Sequence, residues 1–204
     1  MRLLIIRHAE PEPLSDACAD CDRPLSALGR AQAECLARAY AREALDAIIS
    51  STMRRAAQTA APLAQALGLP LRQESALAEI DLGALTPWGV TERAQWEEVA
   101  GRWSSGDLSV CCPGGESLHD VMHRVEPFIV DLLAGSAQGA LAIVAHSVVN
   151  SAILWTLCPD LRPALGQNLG LSHAAVWELE GQGRTFQVVR RDDTAHLEPA
   201  TRRC

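Results

Sequence analysis

The sequence predicts an α/β fold, a three-layer sandwich whose largely parallel central sheet is flanked by helices. Two observations lead there. Short β-type runs alternate with segments of helical period along most of the chain, the order that builds parallel sheets. One run, residues 141–145, is apolar without interruption, as a strand buried on both faces must be.

The elements follow in order. Residues 3–6 form a short apolar β run that stops at the polar cluster Arg7-His8-Ala9-Glu10. Residues 11–25, rich in Pro, Asp and Cys, read as loop. Ser26 then stands as a helix N-cap, with Leu28, Ala31, Cys35, Leu36 and Ala39 following at helical spacing. Residues 47–50 are the second strand. The alanine-rich stretch 53–67 is a helix closed by Gly68 and Pro70, and Pro62 inside it predicts a kink or a split. A third strand is expected at 71–73, a loop at 78–91, a helix at 92–103, a second loop at 104–115 and a helix at 116–133. After the buried strand at 141–145 comes a helix at 148–157. Two final strands, 174–179 and 185–189, are joined at Gly181-Gln182-Gly183. No repeat or linker interrupts the pattern, so residues 1–204 are expected to form one domain, with the loops and helix around 84–115 as a cap.

Composition narrows the function classes. The 204 residues are 48% hydrophobic and 21% charged, an ordinary balance for a chain that buries a core. The net charge of −7 and the scattered arginines offer no basic stripe for nucleic acid. No apolar run is long enough to span a bilayer. The apolar start gives way at once to Arg7-His8 with no small-residue cleavage site, so an export signal is not expected. Seven cysteines without such a signal point to reduced thiols in the cytoplasm. Cys18-x-x-Cys21 and Cys111-Cys112 could together offer four thiolates to zinc. The second pair lacks the usual ligand spacing, so free thiols in two loops, with no metal site, are the favoured reading.

In parallel sheets the chemistry gathers where strands end. The first strand ends in Arg7-His8-Ala9-Glu10, the second in Ser50-Ser51 leading to Arg54-Arg55, and the buried strand in His146-Ser147. Two histidines and a choice of arginines therefore face one edge. A neutral imidazole is a good nucleophile toward phosphorus. Guanidinium forks match the equatorial oxygens of a phosphoryl group without help from a metal. A second imidazole can donate to the same oxygens, and Glu79, in a loop, is a candidate acid for the leaving oxygen.

These residues carry a resemblance. Arg7-His8-Ala9-Glu10 resembles the Arg-His-Gly-Glu signature of the histidine phosphatase superfamily, also called phosphoglycerate mutase-like. Residues 24–33 resemble its L-T/S-x-x-G-x-x-Q-A stretch, and residues 51–60 its S-x-x-x-R-A-x-Q-T-A block. Glu79-Ile80-Asp81-Leu82-Gly83 is similar to its E-I-x-x-G loop. Pro113-Gly114-Gly115-Glu116-Ser117 with Arg124-Val125 is similar to its P-G-G-E-S…R-V pattern. Ile143-Val144-Ala145-His146 resembles the second histidine motif. Each block alone says little; six in the family's order say a great deal. The resemblance implies that His8 is the nucleophile, that Arg7 and Arg55 bind phosphoryl oxygens with His146 completing the pocket and Ser147 beside it, and that Glu79 is proton donor and then base. Arg54 matches a variable position. Glu116 either orients the site or caps a helix, and the second is favoured. No cofactor is implied, and the partner is a small-molecule phosphate ester rather than a nucleic acid or a membrane.

Some positions depart from the family's pattern. Ala9 replaces a glycine, Pro11 a common threonine, Leu14 a frequent phosphate-binding asparagine, Ser147 a glycine and Asn150 an arginine, while the usual Glu-Gly after the E-I-x-x-G loop is absent and Thr86-Pro87-Trp88-Gly89 stands nearby instead. These bear on substrate more than on reaction class. A phosphomonoesterase similar to α-ribazole and broad-specificity phosphatases is expected. A mutase would need a longer chain and further basic residues. A phosphate-binding module without turnover is opposed by the intact set of five residues. Trp88, Trp96 and Trp103 could stack on a leaving group or fill the core of a cap. The sequence allows a homodimer, but oligomeric state cannot be read from it.

Overall fold

The structure is a computed structural model that describes residues 1–14, 19–85, 90–135, 139–167, 169–197 and 201. Cys18 and the segment Thr86-Pro87-Trp88-Gly89 lie outside the described residues, so the C-x-x-C pair and Trp88 are not placed.

Six strands form one sheet in the order β3-β2-β4-β1-β5-β6: β1 Arg2–Arg7, β2 Ala47–Ser51, β3 Leu71–Glu74, β4 Ala140–Ala145, β5 Val176–Gln182 and β6 Thr185–Asp193. The first four run parallel, with β1 pairing β4 from Arg2↔Ala140 to Arg7↔Ala145. β5 pairs β1 antiparallel, Ile6 opposite Val176, and β6 pairs β5 antiparallel. The α/β fold with a mostly parallel sheet is thus as expected, with an antiparallel pair at one edge.

Strand alternation explains the layers. Leu3 and Ile5 of β1 and Leu141, Ile143 and Ala145 of β4 pack on one face against α4 (Leu118–Gly135) and α5 (Ser147–Leu157), through Val121, Val125, Ile129, Val149 and Ile153. Leu4 and Ile6 with Ala142 and Val144 point to the other face, against α1 (Ala27–Tyr40) and α2 (Arg54–Leu67), through Leu36, Tyr40, Ala56, Ala60 and Leu63. Both faces of β1 and β4 are therefore dry. Each fully buried Leu or Ile contributes about 1.5–3 kcal/mol before chain entropy is set against it. α3 (Val90–Ser104) lies between the two segments read as loops.

Local signals explain most boundaries. The Ser26 hydroxyl accepts from the Gly29 N–H at 3.0 Å, the predicted N-cap of α1. Gly68 closes α2 at φ +65°. Three details differ from expectation. α2 continues unbroken past Pro62. The helix expected from Glu116 begins at Leu118, because Ser117 is its cap: its hydroxyl accepts from the Asp120 N–H at 3.2 Å while the Asp120 carboxylate accepts from the Ser117 N–H at 2.9 Å. Gly181 and Gln182 belong to β5, and the turn itself is Gly183-Arg184. Among the described residues no helix is long and apolar enough to cross a membrane.

Candidate active site

The order β3-β2-β4-β1 places the carboxyl ends of four parallel strands side by side. His8 follows β1, Arg55 sits in the first turn of α2 after β2, His146 follows β4, and Glu79 lies a short turn beyond β3. A cavity of about 1480 Å³ opens there, lined by Arg7, His8, Arg55, Glu79 and Ser147 among others.

His8 is 4% exposed, and its two ring contacts fix its tautomer. Nδ1 lies 2.7 Å from the Ala9 carbonyl, which can only accept, so Nδ1 carries the hydrogen. Nε2 lies 3.3 Å from Arg55 Nε, which can only donate, so Nε2 holds the lone pair. Burial, followed by the nearby His146, Arg55 and Arg7, holds the His8 pKa well below the ordinary imidazole value. The ring is a neutral base with its nucleophilic nitrogen beside a guanidinium.

The remaining groups converge on it. Arg55 is 1% exposed; its Nη1 donates to the Asp20 carbonyl at 2.7 Å and its Nη2 to the Asp20 carboxylate at 3.0 Å. The Arg7 side chain donates to the Leu171 carbonyl, and its Nε has no hydrogen-bond partner among the described residues. His146 is fully buried, its ring 5.1 Å from that of His8. Its Nε2 is 2.9 Å from the Ser51 hydroxyl, Nδ1 has no partner among the described residues, and the ring does not itself line the cavity. Burial first, then Arg55 and Arg7, hold its pKa well below the usual value. The Glu79 carboxylate accepts from the N–H groups of Ile80 at 3.1 Å and, weakly, Val148 at 3.4 Å. Loss of water around it raises its pKa; the Ile80 hydrogen bond and the two arginines oppose the rise without cancelling it. Ser147 opens α5 at the cavity wall, whereas Arg54 is exposed and among the described residues reaches only the Asp22 carbonyl, at 3.5 Å.

Most other motif residues hold loops, and Glu116 and Arg124 do so at the cavity wall. The Thr59 hydroxyl accepts from the Ala9 N–H at 2.9 Å, and the Gln32 side chain accepts from the Glu10 N–H at 2.9 Å. A Cβ on Gly29 would fall 1.9 Å from the Glu10 carbonyl oxygen, so only glycine lets α1 approach the segment after His8. Gly83 and Gly115 bring the Glu79 loop and the Pro113-Gly114-Gly115 turn into backbone contact, with Cβ positions 2.4 and 2.5 Å from the opposing carbonyl oxygens. Glu116 makes a two-pronged pair with Arg124 at 2.8 and 3.0 Å and accepts from the Asp81 N–H. It braces that loop and does not cap the helix.

Three features escaped the sequence reading. Asp20, in a loop without periodicity, holds Arg55. His173 lines the cavity with its ring 5.4 Å from that of His8. Trp155 joins Trp96 and Trp103 on the cavity's apolar side. Trp103 is 4% exposed and its indole N–H donates to the Val110 carbonyl, so this ring is largely core. His173 had a usable signal: an antiparallel strand presents its amino end where its parallel neighbours present their carboxyl ends, and His173 precedes β5. Among the described residues no group of three or more His, Cys, Asp or Glu side chains is placed to hold a metal ion, and Cys21, Cys111 and Cys112 are free thiols.

A neutral imidazole, two guanidinium groups and a buried carboxyl group around one cavity are the chemistry that phosphoryl transfer needs. The chain belongs to the histidine phosphatase superfamily (branch 1), whose sequence pattern matches residues 3–194. It is accordingly an enzyme of the phosphatase class among the hydrolases. It is 29% identical over 200 residues to phosphoserine phosphatase 1 of Hydrogenobacter thermophilus, covering 97% of this chain and 90% of the relative. It is 32% identical over 208 residues to glucosyl-3-phosphoglycerate phosphatase of Mycobacterium tuberculosis, covering 93% and 91%. The solved complex of the mycobacterial glucosyl-3-phosphoglycerate phosphatase with inorganic phosphate matches with a TM-score of 0.80 at 26% identity, covering 97% of this chain and 99% of that one.

Proposed function

We propose that the protein hydrolyses phosphate monoesters of small metabolites in two steps through a phosphohistidine on His8. The observation that carries this reading is the His8 ring, held neutral with its Nε2 lone pair against Arg55. In the first step Nε2 attacks phosphorus, the ester P–O bond breaks, and the leaving oxygen takes the proton of Glu79. In the second, ionised Glu79 takes a proton from water as the water oxygen attacks phosphorus and the P–N bond breaks, returning neutral His8 and inorganic phosphate. Arg7 and Arg55 hold the equatorial oxygens, with Ser147 at the pocket wall and His146 behind it, its ring 5.1 Å from that of His8. The raised pKa of Glu79 suits a group that must begin protonated.

The leaving group lies toward the side formed by Leu82, Leu85, Trp96, Trp103 and Trp155. On this reading the segment 84–115 is a cap on a single domain, and the free thiols fit a reducing compartment such as the cytoplasm. The test is rapid quench with a 32P-labelled aryl phosphate followed by mapping of the labelled residue. Acid-labile, base-stable label on His8 is expected, with His8→Ala giving neither label nor turnover. Label on serine or cysteine, or full turnover by His8→Ala, sinks the assignment.

A further inference from the structure

The segment that carries Arg7 and His8 is held from the other side by residues 171–175. The Leu171 carbonyl accepts from the Arg7 side chain. The Ala175 carbonyl accepts from the Arg7 N–H at 3.2 Å, and the Ala174 N–H donates to the His8 carbonyl at 3.2 Å. This cradle is backbone under strain. Ala174 lies at φ +56° and Asp192 at φ +43°, the two non-glycine residues with positive φ among those described. Such conformations cost L-residues free energy and persist where the surroundings enforce them. Both outliers serve one turn: the Asp192 carboxylate accepts from the Ser172 N–H and from the Ser172 hydroxyl, each at 2.7 Å, and Ala174 closes the same turn against His8.

The residue between these two anchors is His173. Its ring faces the cavity, 5.4 Å from the ring of His8 and inclined to it by 39°. His8 is thus flanked by two imidazoles, His146 at 5.1 Å and His173. Burial, with Arg7, Arg23 and Arg55 nearby, lowers the His173 pKa to about 4, so the neutral ring presents one N–H and one lone pair near neutral pH. Strained backbone at a turn that merely closed a hairpin would be replaced by glycine at no cost in contacts. Here it holds an imidazole at the cavity wall beside His8.

We propose that His173 is a further phosphoryl-binding residue, donating its imidazole N–H to a non-bridging oxygen of the phosphoryl group held beside His8. The inference rests on the site reading given under Proposed function, and its test is separable from that reading. The alternative is that His173 supports the His8 ring by packing alone. Two variants of the full chain part them: His173→Phe keeps a ring without a donor, and His173→Asn keeps a donor without the ring. Binding of inorganic phosphate and of orthovanadate is measured by calorimetry, and kcat/KM on an aryl phosphate by steady-state assay, with thermal melts as folding controls. Losing one hydrogen bond to a charged oxygen, His173→Phe should weaken vanadate binding and kcat/KM by about 10- to 100-fold. His173→Asn should recover most of that loss. A Phe variant equal to wild type, or Phe and Asn variants equally impaired, overturns the proposal. Should the Phe variant fail to fold, His173→Ala replaces it, and unchanged phosphate affinity there overturns the proposal as well. If wild-type label maps away from His8, the reaction reading fails, while the anion-binding comparison still decides the role of His173.

Discussion

Replacing Arg55 with lysine keeps the positive charge and removes the fork, which isolates geometry from charge. The guanidinium directs three donors in three directions: Nε toward His8 at 3.3 Å, Nη1 and Nη2 toward Asp20 at 2.7 and 3.0 Å. A lysine ammonium at the end of a narrower stem can satisfy one of these directions from this buried position. A dianionic phosphoryl group entering the site meets the same fork, so two charge-assisted hydrogen bonds are lost. At about 1.5–3 kcal/mol each, the loss is about 3–6 kcal/mol, or roughly 10²- to 10⁴-fold in kcat/KM. Steady-state kinetics on an aryl phosphate, with circular dichroism to confirm folding, measures it. Arg54→Lys is the control: that side chain is exposed and reaches one carbonyl at 3.5 Å, so its activity should stay within about twofold of wild type. Near-wild-type activity in Arg55→Lys, or a larger loss in Arg54→Lys, would refute the assignment of the fork to Arg55.

The other predictions concern the acid, the buried histidines and the close-packed helix. Glu79→Gln cannot supply a proton, so turnover of alkyl esters should fall about 10²- to 10⁴-fold and that of aryl esters with good leaving groups much less; equal losses across a leaving-group series would exclude the acid role. His8, His146 and His173 all have folded pKa values below the unfolded 6.5, so the unfolded chain takes up protons that the folded chain does not as pH falls. Their contribution to stability is complete above pH 6.5 and is lost on acidification, down to about pH 4 for His173, at about 1.4 kcal/mol per pH unit for each histidine. Urea melts between pH 7.5 and 5 should show that slope, and a flat profile would mean the imidazoles are not buried neutral. Gly29→Ala puts a Cβ 1.9 Å from the Glu10 carbonyl oxygen and should destabilise by at least about 1–3 kcal/mol, whereas Gly101→Ala, with open space around it in α3, should be neutral or stabilising. Equal melting temperatures for these two variants would show that α1 does not press on the segment after His8.

Hydrophobic period made the elements legible, because β1 and β4 are buried on both faces and α1, α2 and α4 each bury one stripe. Strand order was not legible: nothing in the residues of β4 says that it inserts between β2 and β1. The strand-end rule nevertheless pointed to His8, His146 and the Arg54-Arg55 pair, since it requires parallel direction but not order, and it was the family resemblance that singled out Arg55. It passed over His173, because β5 is antiparallel and contributes its opposite end. Asp20 left no trace, since its contact with Arg55 joins a loop to a helix 35 residues away. Helix starts erred where capping competes with pattern, as at Ser117, whose exchange of hydrogen bonds with Asp120 sets the first turn of α4.

The motif blocks proved legible for a reason that bears on the departures. Gly29, Gln32, Thr59, Gly83, Gly115, Glu116 and Arg124 all secure the backbone on which His8 and Glu79 ride, through contacts that admit little substitution. Ala9, in place of glycine, is compatible with that framework, because its φ is not positive and its role there is an N–H given to Thr59. Leu14 is a different matter. It lines the cavity at a position where the family pattern often has a phosphate-binding amide, and it brings no donor. His173 lines the same cavity with a donor of its own. On the proposed reading His173, from the β5 side of His8, adds to the hold of Arg7 and Arg55 a donor that Leu14 does not bring.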